Sequence, residues 1–162
     1  MGVVLTPDGC MHQAEIAELS GAPEEGVTME VATLFVYGTL MRGECRFSIL
    51  EHDCGLEALC EGAVRGRLLS LGAYPGVVAL STAKSWVHGE FCMLREPNKA
   101  FKVLDEVEDF LGWNDPSSMY ERVLAKVRMP DGSTPLAWTY RLAIPWKLLP
   151  EISGGDWRRR AR

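Results

Sequence analysis

Glu108, in the stretch EPNKAFKVLDEVEDFLGW, stands where an amphipathic helix would place an apolar side chain. At about 100° per residue, with Phe101 as zero, Ala100, Val103, Leu104, Val107, Phe110 and Leu111 gather on the half that faces a core. Lys102, Asp105, Glu106 and Asp109 gather on the solvated half, whereas Glu108 falls between Leu104 and Phe101. A carboxylate turned toward an apolar interior loses hydration, which raises its pKa and makes it a proton acceptor suited to neutral pH. The spacing therefore singles out Glu108 as a candidate general base. The alternative use of such a residue is a structural ion pair with an arginine such as Arg122.

A second segment able to do chemistry is YGTLMRGE, which follows the apolar run TLFVY. It lacks the spacing and the lysine of a phosphate-binding loop and the spacing of GxGxxG, so nucleotide binding is not indicated. A strand running into Tyr37, Gly38, Thr39 and Leu40 offers a bend with outward backbone N–H groups, where Gly38 lets a ligand approach the main chain. Such amides suit a small carboxylate or a developing oxyanion, and a plain turn is the other reading. Cys10, Cys45, Cys54, Cys60 and Cys92 are odd in number and lack CxxC spacing, and His12, His52 and His88 form no ligand pattern with them. Neither a disulfide framework, a zinc site nor a cysteine–histidine pair is expected, and the site candidates include no metal ligand and no cofactor.

Residues 1–30 mix Gly, Pro and acids around one short helical pattern with Ile16 and Leu19 on one side, and form an extension. TLFVY is a strand, YGTLMRGE a glycine loop, and CRFSILEH one or two helical turns. Short strands follow around Cys60 to Ser70, Gly76 to Leu80 and Ser85 to Leu94, cut by LGAYPG and STAK. Pro97 suits the first turn of the helix that carries Glu108, and Gly112 with Trp113 and Asn114 closes it. Val123, Ala125, Val127 and Met129 then alternate with Arg122, Leu124, Lys126 and Arg128, and Leu136, Trp138, Tyr140 and Leu142 with Ala137, Thr139 and Arg141, giving two half-buried strands across MPDGSTP, a hairpin loop longer than two residues. One main helix amid many strands predicts an α+β fold with a closed or strongly curled sheet.

With 47% apolar and 24% charged residues, 162 residues suit one soluble globular domain. No apolar run approaches the length of a membrane span, and the first 41 residues hold no Lys or Arg, so a secretory signal is not expected and a cytoplasmic location is. MGVVLT fits the myristoylation pattern, but the match is too short to carry a membrane assignment. Residues 1–30 hold six acids and no base, a charge of -6 against -5 for the whole chain. Arg158, Arg159, Arg160 and Arg162 make a basic end at 158–162, read as a solvated tail because no aromatic interleaving or basic domain accompanies it; nucleic acid is not an expected partner.

LFVYGTLMRG, LGAYPG, VHGEFCML, VLDEVE, MYERV, AWTY and GGDW occur in the order seen in gamma-glutamylcyclotransferase-like proteins, and from Thr33 to Trp157 the chain resembles that family, closest to the gamma-glutamylamine cyclotransferase branch. The resemblance implies a small mixed or antiparallel β-barrel flanked by a few helices, occupying residues 31–157. It also implies that Glu108, which ends LDEVE, is the catalytic residue. Tyr37, Gly38, Thr39 and Leu40 would line the cavity for the gamma-glutamyl group, Tyr120 would border it, and Arg122 would be structural. The chain departs from the pattern by an insertion-like FLGWNDPSSM before Tyr120, on the leaving-group side, and lacks the LFGYGSL start of the glutathione-degrading branch. The expected reaction is cyclisation of a small gamma-glutamyl amide to 5-oxoproline with release of an amine. A small-acid-binding module without catalysis and a hydrolase releasing glutamate are the rivals. Neither the leaving amine nor the oligomeric state is specified by the sequence.

Overall fold

The computed structural model of the protein describes residues 31–160 and two short paired strands, β1 (Val4–Leu5) and β2 (Met11–His12). The helical pattern read around Ile16 and Leu19 lies outside the described residues. β3 (Thr33–Val36) is buried at all four positions, as its β-branched and apolar sequence requires of a central strand. It pairs antiparallel with β7 (Trp86–Leu94) and parallel with β9 (Leu136–Leu142). The remaining strands are β4 (Leu56–Arg65), β5 (Arg67–Ser70), β6 (Pro75–Val78) and β8 (Tyr120–Lys126). The sheet runs β4-β7-β3-β9-β6-β5, with β8 paired along β9.

Curling follows from β9, which serves β8 along its length, β3 at Trp138 and β6 at Arg141. The sheet wraps until Ala63 of β4 meets Arg128 just beyond β8 through two backbone hydrogen bonds of 3.0 and 2.7 Å. This is the α+β, curled-sheet architecture read from the sequence. Gly89 of β7 permits the tight wrap, since a Cβ there would lie 2.1 Å from the Val36 carbonyl oxygen.

Three expectations need correction. The single strand expected from Cys60 to Ser70 is two, because the chain turns at Gly66 between β4 and β5. β9 is not half-buried: Leu136 through Tyr140 are all buried, since the curled sheet covers one face and the main helix the other. That helix, α2 (Pro97–Val107), starts at Pro97 as expected but ends well before Gly112. Its apolar stripe, Ala100, Phe101 and Leu104, is buried, and Phe101 meets Trp138 edge to face at 6.3 Å. Burying Phe101 and Leu104 contributes about 1.5–3 kcal/mol each. Leu111, assigned to the same stripe, is 61% exposed because the helix has already ended. A shorter α-helix, α1 (Phe47–His52), follows the glycine loop as expected.

Candidate active site

Glu108 is the C-cap of α2, and the way the helix stops sets where its side chain points. The Asp109 N–H donates to Glu106 O and the Phe110 N–H to Asp105 O, with Asp109 left-handed at φ 49°. This is a Schellman stop in which aspartate takes the place usually held by glycine, and Phe110 is buried beyond it. The Glu108 N–H still donates to Leu104 O at 2.9 Å, so the helical arc extends far enough to aim this residue inward.

Asp105, one turn earlier, is not a solvated residue. Its carboxylate accepts the Tyr140 hydroxyl at 2.7 Å and the Arg122 Nε–H at 3.1 Å. The Arg122 guanidinium is surrounded by the rings of Phe101, Trp113, Trp138 and Phe110 at 4.7 to 5.8 Å. The alternative pairing of Arg122 with Glu108 is therefore excluded: Arg122 is held by Asp105, and Glu108 is left to the cavity. The insertion-like FLGWNDPSSM packs over this unit. Trp113 stacks edge to face on Phe110 and donates to Arg122 O at 2.8 Å, while Met119 is returned to the cavity by its N–H bond to Asp109 O.

The loop after β3 forms the opposite wall. Gly38 O accepts from Met41 N at 3.1 Å and Thr39 O from Arg46 N at 2.9 Å, which folds residues 38–46 into a compact turn. Among the described residues the N–H groups of Gly38, Thr39 and Leu40 have no hydrogen-bond acceptor. Gly38 is needed for a reason the sequence reading missed: a Cβ would lie 2.7 Å from the Pro75 ring, so the space goes to Pro75. The loop is pinned by Glu90 of β7, 4% exposed, whose carboxylate accepts the Arg42 N–H at 2.8 Å. Burial raises the Glu90 pKa, and the Arg42 amide opposes that rise.

These walls enclose a cavity of ≈ 100 Å³ that gathers Tyr37, Gly38, Thr39, Leu40, Glu108 and Tyr120. Arg46, Tyr74, Pro75, Met119 and Tyr140 also line it, and the sequence reading assigned none of them to the site. AYPG and AWTY pointed toward three of these, whereas nothing in CRFSILEH distinguishes Arg46 from a surface arginine. The tyrosine hydroxyls are engaged in the frame: Tyr37 donates to Tyr140 O at 2.5 Å and accepts from Val77 N, and Tyr120 donates to Pro75 O at 2.6 Å. Both tyrosines thus present ring surface. Burial pushes the Glu108 carboxyl up to about 7, with Arg46 opposing the rise and Asp109 adding to it. Among the described residues no cluster of three or more His, Cys, Asp or Glu is placed to hold a metal ion.

A family profile for gamma-glutamyl cyclotransferase, AIG2-like proteins matches residues 34–159, most of the chain and all of these walls. The chain belongs to this cyclotransferase family. Gamma-L-glutamyl-butirosin B gamma-glutamyl cyclotransferase of Niallia circulans is 32% identical over 108 residues, 66% of this chain and 64% of that one; the chain thus spans just under two thirds of that relative. A putative gamma-glutamylcyclotransferase of Vibrio cholerae is 33% identical over 129 residues, covering 78% of this chain and 96% of the other. The crystal structure of an AIG2-like protein of Mus musculus has the same fold, with a TM-score of 0.60 at 24% identity over 77% of this chain and 88% of that one. Among the described residues of this cyclotransferase-family chain, no helix is long and apolar enough to cross a membrane.

The basic end is only in part a solvated tail. Arg159 is 87% exposed, but Arg158 donates to Glu61 at 2.9 Å and to Asp156 at 3.0 Å. Arg160 lies 3.8 Å over the buried Trp157 ring and reaches Glu44 of the cavity loop at 3.4 Å. Arg162 lies outside the described residues.

Proposed function

We propose that this chain cyclises a small gamma-glutamyl amide to 5-oxoproline in the cytoplasm, with Glu108 as general acid and base. The observation that carries this reading is Glu108 facing the unbonded amides of Gly38, Thr39 and Leu40 across one cavity. Glu108 removes a proton from the substrate's alpha-ammonium, and the freed amine attacks the gamma-carbonyl carbon. The new C–N bond closes the five-membered ring, Glu108 passes its proton to the original amide nitrogen so that this C–N bond breaks, and the second proton of the ring nitrogen leaves through Glu108 to the released amine, which departs as an ammonium. No water is consumed and no group stays on the enzyme. Acid–base help of this kind contributes about 10² to 10⁴ in rate. Holding the amine against the carbonyl adds further powers of ten, because the nucleophile is part of the substrate.

In this reading Tyr37, Gly38, Thr39, Leu40 and Tyr120 hold the gamma-glutamyl group, and amides of the loop receive the oxyanion. The Niallia relative is named for gamma-L-glutamyl-butirosin B, which supports a gamma-glutamyl compound as the substrate class. Incubating the purified protein with gamma-glutamyl amides and identifying the product tests the proposal. Release of 5-oxoproline is the expected result; free glutamate would mean hydrolysis, and thermal stabilisation by the amide without any product would mean a binding module.

A further inference from the structure

Arg46 makes no bond in the cyclisation just described, yet it lines the same cavity as Glu108, close enough to favour the charged form of that carboxyl. Its backbone is fixed at the end of the glycine loop through its N–H to Thr39 O and its carbonyl to Ile49 N. Its side chain is different from every other described arginine. Arg67, Arg95, Arg122, Arg141, Arg158, Arg159 and Arg160 pair with carboxylates, and Arg42, Arg65 and Arg128 stack on aromatic rings. Among the described residues Arg46 alone does neither.

The charges around it say what it is suited to. Of the residues lining the cavity, Glu108 and Asp109 are acidic and Arg46 is the single cation. A gamma-glutamyl amide brings its alpha-carboxylate on the same carbon as the amine that Glu108 must deprotonate. That places a second carboxylate within a few ångströms of Glu108, and like charges so close repel strongly where water is scarce. A guanidinium offers two parallel N–H donors that match a carboxylate and cancel its charge. We propose that Arg46 is the residue through which this cavity recognises a carboxylate of its substrate, making it a specificity-determining residue. The inference rests on the cyclisation reading for the identity of the substrate. Every gamma-glutamyl amide supplies the alpha-carboxylate, and a gamma-glutamyl amino acid supplies a second on its leaving group.

The test compares wild type, Arg46→Gln and Arg46→Lys on gamma-glutamyl-ethylamide and gamma-glutamyl-alanine, following 5-oxoproline. Arg46→Gln is expected to raise KM about 10- to 100-fold, the worth of a charge-assisted hydrogen bond, with kcat changed less and its pH midpoint moved upward because Arg46 favours the charged form of Glu108. Arg46→Lys is expected to recover part of the loss, which a purely structural arginine would not predict. An equal rise on both substrates assigns the alpha-carboxylate, and a rise confined to gamma-glutamyl-alanine assigns the leaving-group carboxylate. An unchanged KM on both overturns the inference, and so does a rise accompanied by a lowered melting temperature that lysine does not correct. Calorimetric titration with gamma-glutamyl-alanine separates this result from the functional reading. A wild type that binds but forms no 5-oxoproline, with binding lost in Arg46→Gln, sinks only the cyclisation; an active wild type with unaltered KM and binding in Arg46→Gln sinks only the role of Arg46.

Discussion

At the residue scale, the property that decides what Glu108 does is its proton affinity. Burial and Asp109 favour its neutral form and Arg46 its charged form, with burial the larger effect, leaving the carboxyl at about 7. Glu108→Gln should lower turnover at least about a hundredfold, the low end for lost acid–base catalysis, while the exposed Glu106→Gln stays near wild type. A folded Glu108→Gln enzyme that turns over within a few-fold of wild type would remove Glu108 from the mechanism. The same shift sets two pH trends. The base must be ionised, so kcat/KM should rise with pH through a midpoint near about 7 and flatten above it. Stability should run the other way: from about pH 4.5 to 7 the unfolded chain loses this proton while the folded one keeps it, so the contribution of Glu108 to stability falls as pH rises through that window. Glu108→Gln should therefore melt higher than wild type at pH 8 and lose that advantage at pH 4, which calorimetry at the two pH values checks.

At the element scale, α2 is more than a carrier of Glu108. LDxxE and YxR fall three and two residues apart in the sequence because they form one joint between α2 and β8. Asp105 holds Arg122 against four rings, and Glu108 and Tyr120 emerge from that joint on the cavity side. Asp105→Asn would leave the guanidinium, only 11% exposed, without its counter-charge. Removing one partner of a buried pair costs about 3–5 kcal/mol, and this half-buried pair should lose about 1–3. A urea titration showing an unchanged midpoint would mean that the aromatic cage holds Arg122 by itself. A lowered kcat in the same variant is expected, since the Asp105 carboxylate holds the hydroxyl of Tyr140, which lines the cavity with Glu108.

At the scale of the whole molecule, the cavity loop is tied to both the centre and the end of the chain. Glu90 grips it from β7, and Arg160 reaches Glu44 from beyond the last turn. A protein trimmed to residues 31–160 should fold and keep the cyclisation activity proposed here. One trimmed to 31–157 should be destabilised by about 1–3 kcal/mol, since the partly buried pairs of Arg158 and Arg160 contribute about 1 kcal/mol each and the cation over Trp157 a similar amount. Melting curves of the two proteins that coincide would show that Arg158 and Arg160 hold nothing in place. Slower 5-oxoproline release by the shorter one would show that the loop needs its tie.

What the sequence determined by itself is whatever depends on local periodicity and local chemistry. The α+β class, the start of α2 at Pro97, the alternation of Val123, Ala125, Val127 and Met129, and the inward arc of Glu108 all follow from side-chain period and turn residues. Tertiary structure decided what depends on partners far along the chain. Asp105 looked solvated because the helical wheel cannot show Arg122 and Tyr140, which reach it from β8 and β9. Leu111 looked buried because the wheel continues past a stop made by backbone geometry at Asp109. β9 looked half-buried because alternation reports one covered face, and a curled sheet under a helix covers both. Arg46 carried no signal at all. Its distinction is to line the cavity near Glu108 without an ion pair or a ring contact among the described residues, and that is a property of three-dimensional placement alone.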